Sequence, residues 1–174
     1  MKTLEDYMSQ YAAYHRDRRN IATHLVGIPL IVLALTVLLS RPAVHLIGLW
    51  ASPALLVALA ATTFYLLLDV SLGVVMLVLL SLCLWFGAWV AAQPTGVWLS
   101  IGAGGFIVGW VFQFIGHACE GRKPAFVDDL AGLVIGPLFV VAEVLFMMSL
   151  RTTLRQHIEA RAESLRRQFQ APKH

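Results

Sequence analysis

Long apolar runs separated by short polar breaks dominate the pattern of this chain. The first run covers about residues 21–40 and stops at Arg41-Pro42. A helix of this length, at about 1.5 Å per residue, can cross the hydrocarbon core of a membrane, which is about 30 Å thick. Residues 71–92 and 97–116 form two further uninterrupted runs. The pattern therefore predicts a bundle of transmembrane helices.

Two other apolar stretches are ambiguous. Residues 43–68 are interrupted at Ser52-Pro53, so they form either a short surface helix followed by a short span or one kinked span. The last apolar run, 130–150, contains Pro137, which should kink a helix at that point. Hydropathy alone therefore predicts four crossings, or five if both stretches span the membrane.

Amphipathic segments flank the apolar runs. Residues 3–19 begin with a capping-box spacing and continue with apolar residues at helical intervals, so they are predicted to form a helix with His15 on its apolar face. Asn20 is the expected N-cap of the first span. The cationic segment 151–174 has a second apolar stripe, which predicts a helix lying on the membrane or on a partner subunit. We expect no chemistry from that helix.

Composition agrees with a membrane protein. Of the 174 residues, 13% are charged and 59% are hydrophobic, whereas a soluble domain usually has about 25% charged residues. Between residues 42 and 112 the only charged residue is Asp69. The first twenty residues are too polar for a signal peptide. The predicted fold class is therefore all-α, a single integral membrane domain over 1–174 with its transmembrane bundle at 21–150.

Positive charge indicates which segments face the cytoplasm. Lysine and arginine cluster in the N-terminal segment, at Arg122-Lys123 and in the C-terminal tail. Because cytoplasmic segments carry an excess of these cations, all three should lie on one side, which requires an even number of crossings. We therefore predict four, with one ambiguous stretch short, re-entrant or partial. The cations suit lipid headgroups, and no basic motif interleaved with aromatics points to nucleic acid.

Three histidines lie at the predicted membrane boundary. His15 is on the amphipathic helix, His24 begins the first span, and His117 ends the span that returns to the same side. Each histidine alone is explained equally well as a hydrogen-bonded interfacial side chain or as a functional residue. Together they place three imidazoles at one depth, and imidazole is a common ligand of iron, zinc and copper. The convergence favours a metal site on the cytoplasmic side with positions left open for substrate.

Two carboxylates are candidates to support that site. Glu120 follows His117 by three residues and is a fourth ligand, an outer hydrogen-bond partner of a histidine, or a solvated charge paired with Arg122. Glu143 lies inside an apolar run, where a carboxylate needs a partner or a function. Asp69 sits at a break between spans and is better explained as a helix cap or loop residue.

Four motifs occur in a fixed order across about residues 5–150, and the ordered set resembles one family. It is the membrane-bound 2-hydroxy fatty acid dioxygenases, which in yeast turn phytosphingosine-derived acids into odd-numbered fatty acids. The motifs are Tyr14-His15 with Asn20, His24, Gly27 and Pro29; Trp110 with Gln113 and His117; Glu120-Gly121 with Pro124; and Gly136-Pro137 with Glu143.

The resemblance implies an enzyme of fatty acid α-oxidation that depends on ferrous iron (Fe2+). A 2-hydroxy fatty acid and O2 would give the fatty acid one carbon shorter and CO2. The hydroxyl and carboxylate of the substrate can chelate iron and leave a position for O2. The implied site comprises His15, His24 and His117 as iron ligands, Glu120 and Glu143 as a further ligand or outer partners, Asn20 as support, and Arg122 or Lys123 as partners of the substrate carboxylate.

Two other functions are compatible with the sequence. A small transporter or channel would use Glu143 and Asp69 as intramembrane ionisable sites, although the polar groups cluster at one surface. A membrane scaffold would use the basic C-terminal helix. The sequence leaves open the metal, the substrate chain length, a homo-oligomeric state, and whether the membrane is a bacterial cytoplasmic membrane or the endoplasmic reticulum.

Overall fold

The computed structural model of the chain describes residues 2–15, 17–46, 49–121 and 131–170. Within these ranges it contains seven helices and one short β-hairpin. The predicted helical membrane bundle is confirmed, with the hairpin as an addition. The elements are α1 Leu4–Tyr14, α2 Arg18–Ser40, β1 Val44–Leu46, β2 Leu49–Ala51, α3 Pro53–Leu68, α4 Val70–Ala91, α5 Thr95–Glu120, α6 Ala131–Met147 and α7 Thr152–Gln170.

The junction between α1 and α2 differs from the prediction. The capping box at the start of α1 is present, but α1 ends at Tyr14 because His15 adopts an extended backbone with φ −119° and ψ 99°. Asp17, rather than Asn20, is the N-cap of α2, and its carboxylate accepts a hydrogen bond from the Arg19 N–H. The predicted cap was wrong because the Asn20 side chain is bound elsewhere, to the carboxylate of Glu120.

The segment predicted as a surface helix before Ser52 is instead the β-hairpin. β1 and β2 pair antiparallel, with Val44 opposite Ala51. Ser52 then caps α3, and Pro53 occupies the first turn of that helix, where its fixed φ and missing N–H are tolerated. The short apolar helix that was predicted to follow Ser52-Pro53 is therefore present as α3. The alternative interpretation of 43–68 as one kinked span was wrong.

Within the described residues, three helices are long and apolar enough to cross a membrane, namely α2, α4 and α5. α2 and α4 run in the same direction, because Leu25 and Val75 in their first halves line one cavity and Gly87 faces Ser40 near their ends. The chain must therefore return between them through the hairpin and α3. With 16 residues, α3 is about 24 Å long, so the predicted four crossings depend on this short helix.

Both ends of α6 are bound to the end of α3. The Tyr65 hydroxyl donates to the Val134 carbonyl oxygen at 2.7 Å, and Arg151, just after α6, pairs with Asp69. A helix that crossed the bilayer would have its ends on opposite faces, so these contacts keep α6 on one side. α6 is therefore a partial segment, and the number of four crossings stays a prediction. Asp69 also caps α4, since it accepts the Leu72 N–H, as predicted.

α2 and α5 pack antiparallel along a seam of small residues. A Cβ atom added to Gly109 would lie 2.6 Å from Ile31 Cγ1 and 2.9 Å from the Gly27 carbonyl oxygen. A Cβ on Gly27 would lie 2.8 Å from the Gly109 carbonyl oxygen. Backbones approach this closely only where side chains are absent or very small. The seam therefore fixes the distance between the two helices that carry His24 and His117.

The apolar stripe of α7 is covered by α1 of the same chain. Ile158 is buried in one cluster with Leu4 and Met8. Arg161 also forms an ion pair with Asp6. The C-terminal helix, which was predicted to lie on the membrane or on a partner subunit, thus packs against the N-terminal helix that leads to His15.

Candidate metal centre

Three histidines from separate elements meet at one end of the bundle. His15 lies between α1 and α2, His24 in the second turn of α2, and His117 in the last turn of α5. One ring nitrogen from each lies within 4.8 Å of the other two. None of the three residues is more than 8% exposed. The structure therefore brings together all three residues that the sequence singled out, while their role as ligands stays a prediction.

Backbone carbonyl groups orient two of the rings. Nδ1 of His15 lies 2.8 Å from the Tyr11 carbonyl oxygen, and Nδ1 of His24 lies 2.8 Å from the Asn20 carbonyl oxygen. A nitrogen that faces a carbonyl oxygen must carry the proton and donate, so Nε2 of each ring keeps its lone pair. Metal-binding histidines usually hold their second nitrogen in this way.

Two buried ring nitrogens lack a hydrogen-bond partner within the described ranges, Nε2 of His15 and Nδ1 of His117. An unpaired buried polar atom typically costs about 1–3 kcal/mol. A cation with bonds of about 2.1 Å would hold its donor atoms about 3.0–3.4 Å apart. The three ring nitrogens would therefore need to move only slightly closer together to bind one ion. The donor set therefore fits a transition-metal ion.

The environment of His15 keeps its imidazole neutral. Burial lowers the pKa of His15 from 6.5 to about 4, because the charged ring would lose its solvation. The Tyr11 ring stacks on it with a centroid separation of 4.1 Å and an interplanar angle of 9°. A neutral ring is the form that binds a metal.

The small-residue seam sets the spacing of the other two histidines. Gly116 lies directly against α2, and a Cβ atom added there would sit 3.3 Å from Asn20 Cα. This contact brings the last turn of α5 onto the first turns of α2. As a result, the ring centroids of His24 and His117 are 5.0 Å apart.

Glu120 joins the end of α5 to the start of α2. Its Oε2 accepts hydrogen bonds from the Asp17 N–H at 2.7 Å and from Asn20 Nδ2 at 3.2 Å. The Asn20 carbonyl in turn accepts from His24. Asn20 and Glu120 thus form a chain of hydrogen bonds that leads to a histidine, which suits outer support better than direct ligation. Among the described residues, the three-histidine group includes neither of them.

The other predicted site residues lie elsewhere. Among the described residues, Arg155 and Glu159 of α7 are the charged groups that act on Glu143. Glu143 is outside the three-histidine group as far as the structure describes the chain, and its link to the metal stays a prediction. Arg122 and Lys123, the predicted partners of the substrate carboxylate, fall outside the described residues.

A cavity of about 310 Å³ opens beside the histidines. Tyr11 and Gln113 line it together with the three rings, and most of its remaining wall is apolar. Gln113 is 6% exposed, and its Nε2 has no hydrogen-bond partner in the part of the chain that is described. Sequence reasoning did not assign Gln113 to the site, although it is the only amide in the apolar run 97–116, four residues before His117.

Residues 1–148 match the family described as 2-hydroxy-palmitic acid dioxygenase Mpo1-like. The chain belongs to the Mpo1-like family. In an alignment of 178 positions it is 31% identical to the 2-hydroxy-palmitic acid dioxygenase MPO1 of Saccharomyces cerevisiae, and the alignment covers 96% of each chain. No solved structure matches the chain. The Mpo1-like match confirms the resemblance drawn from the sequence motifs and includes all three histidines, whereas α7 lies beyond it.

Proposed function

We propose that this Mpo1-like protein is an Fe2+-dependent dioxygenase that converts a 2-hydroxy fatty acid and O2 into the fatty acid one carbon shorter, CO2 and water. The observation that carries the proposal is the buried group of three histidines beside a mostly apolar cavity. The similarity to the yeast enzyme supports the substrate class. The cationic N-terminal segment supports a site on the cytoplasmic side, since cytoplasmic segments carry an excess of lysine and arginine.

The reaction balances without another reductant. The carbon that bears the hydroxyl is oxidised to a carboxylic acid, and the original carboxyl carbon leaves as CO2. Together these changes release four electrons, which is the number needed to reduce O2 fully. Ferrous iron held by His15, His24 and His117 would supply the redox chemistry by which O2 reacts with the substrate.

The protein groups around the histidines would orient the ligands and receive the substrate. The carbonyl groups of Tyr11 and Asn20 hold two rings in the tautomer with a free Nε2. The Gln113 amide, buried at the wall of the cavity, would donate a hydrogen bond to the polar head of the substrate. This assignment supplies a partner for an amide that otherwise lacks one within the described residues.

Replacing Gln113 with leucine is expected to raise the KM for a 2-hydroxy fatty acid about ten- to hundredfold, since a hydrogen bond to a charged group is typically worth about 1.5–3 kcal/mol. Iron content should not change, because Gln113 is not among the ligands. Steady-state O2 consumption measures the effect. Gln93→Leu, which alters an amide outside the cavity, is the matched control. A Gln113→Leu enzyme with an unchanged KM would remove Gln113 from the substrate site.

The apolar part of the cavity would receive the start of the acyl chain. Val32 and Pro137 line this cavity and also two neighbouring apolar cavities of about 480 and 170 Å³. Val32 lies eight residues after His24, or about 12 Å along the helix. An acyl chain that starts at the histidines and follows α2 therefore passes Val32.

Val32→Phe is expected to shift the preference of the enzyme towards shorter 2-hydroxy acids, because the larger ring narrows the passage between the cavities. Relative kcat/KM for a series of chain lengths measures the shift. Val26→Phe changes a residue that is 45% exposed on the same helix and should leave the preference as it is. The same chain-length profile in both variants would contradict this path for the acyl chain.

The proposed function is tested most simply with detergent-purified protein loaded with Fe2+ under anaerobic conditions. On exposure to O2, 2-hydroxypalmitate should be consumed with one O2 per molecule and should yield a product one carbon shorter. Palmitate, which lacks the hydroxyl needed for chelation, is the control and should not react. Iron-loaded protein that consumes no O2 with 2-hydroxy acids over a range of chain lengths would refute the proposal.

Neither alternative function is favoured by the structure. Asp69, which a transporter would use as an intramembrane site, caps α4 and pairs with Arg151. The basic helix α7, which a scaffold would present to partners, covers its apolar stripe with α1.

A further inference from the structure

Arg166 of α7 reaches across to the end of α1. Its Nη2 donates to the Ala12 carbonyl oxygen at 2.6 Å and its Nε to the Ala13 carbonyl oxygen at 3.3 Å. The Arg166 side chain is 16% exposed, whereas that of its neighbour Arg167 is 79% exposed. A guanidinium at the last carbonyl groups of a helix donates hydrogen bonds to them and complements the negative end of the helix dipole.

The same contact reaches the backbone of His15. The Ala12 carbonyl that accepts from Arg166 also accepts from the His15 N–H at 3.3 Å. Of the three histidines, His15 alone lies outside a helix, so regular helical hydrogen bonds do not fix its backbone. Arg166 binds the segment before it, and Glu120 binds the Asp17 N–H after it.

We propose that Arg166 is a positioning residue for His15, so that α7 completes the metal centre without contributing a ligand. The inference rests on the proposed function only in taking His15 as a ligand. It gives α7 a part in the chemistry that was not expected from its sequence. It also assigns a role in the site to a residue outside the 1–148 family match.

A purely structural role for Arg166 can be separated from a positioning role, because α7 docks on α1 at more than one place. Arg161 pairs with Asp6 near the start of α1, at the end of that helix far from His15. If docking of α7 were all that mattered, loss of either arginine would affect the metal centre equally. If Arg166 positions His15, its loss should affect the centre far more.

The experiment compares Arg166→Leu with Arg161→Leu and Arg167→Leu in the full-length protein. Each is titrated with Co2+ under anaerobic conditions, and visible absorption bands report the affinity and the ligand field. Arg166→Leu is expected to raise the Kd for Co2+ about tenfold or more, which is typical when an outer partner of a ligand is lost, and to change the spectrum. The other two variants should stay within about twofold of the native protein.

Thermal unfolding of the metal-free variants supplies the structural readout. Arg166→Leu and Arg161→Leu should both leave the metal-free protein folded with a cooperative unfolding transition, while only Arg166→Leu weakens Co2+ binding. Arg166→Lys, which keeps the charge but lacks the forked donors, should recover part of the affinity. Native Co2+ affinity in Arg166→Leu, or equal losses in Arg166→Leu and Arg161→Leu, would overturn the inference. A native protein that binds no Co2+ would instead overturn the proposed metal centre.

Discussion

Replacing His24 with glutamine is expected to abolish iron binding and turnover while leaving the bundle folded. His24 is 2% exposed, and its ring centroid lies 4.6 Å from that of His15 and 5.0 Å from that of His117. Glutamine nearly preserves the volume of the side chain, so the core around it should not collapse. Since loss of an outer partner alone weakens metal binding about 10–100-fold, loss of a ligand should exceed about a hundredfold.

Iron per chain after anaerobic desalting, together with O2 consumption, measures this effect. His157→Gln is the control, because His157 is exposed and pairs with Glu5 away from the three-histidine group. It should retain native iron content and activity. A His24→Gln protein that keeps one iron per chain and turns over at the native rate would exclude His24 as a ligand.

Gly109→Leu is expected to destabilise the protein and to release iron, although Gly109 does not touch the metal centre. Even the first carbon of the new side chain would lie 2.9 Å from the Gly27 backbone oxygen, and backbone cannot rotate out of the way. Overpacking typically costs about 1–3 kcal/mol of stability. We expect a cost near the top of this range, because the new side chain would collide with backbone atoms. The helices α2 and α5 would then separate, and His24 would move away from His117.

Gly104→Leu in the same helix is the matched control, since nothing lies within 4 Å of a Cβ atom added there. Both variants gain the same side chain, so only the packing differs. Thermal unfolding in detergent and iron content should be native for Gly104→Leu and lowered for Gly109→Leu. If the two variants behaved alike, the seam between α2 and α5 would not set the geometry of the centre.

The sequence predicted the helices well because the thickness of a membrane dictates the length of an apolar run. It also predicted that His24 and His117 would lie at one depth. The segments before α2 and after α5 are both cationic, so an even number of crossings should separate them and α5 should return to the side where α2 begins. This inference needs no knowledge of packing. The approach of the two rings was not predictable in detail, because it depends on the contact between Gly116 and Asn20.

The sequence-based predictions were wrong or incomplete where a residue far away in the sequence determines which local interaction forms. Asp17 and Asn20 are both good N-cap residues. Asp17 caps α2 because the Asn20 amide binds Glu120, which is a hundred residues away in the sequence. Arg166 contacts carbonyl groups 153 and 154 residues earlier. No periodicity or spacing in the sequence carries that information, so the part of α7 in the site emerges only from the fold.

Iron K-edge X-ray absorption of the Fe2+-loaded protein, recorded without O2, tests the central claim most directly. It reports the kind and number of atoms bound to the metal. We predict about three imidazole nitrogens per iron at about 2.1 Å, decreasing to two in His24→Gln protein forced to bind by excess metal. A spectrum with no imidazole, or one unchanged by the loss of His24, would contradict the claim that these histidines hold the iron.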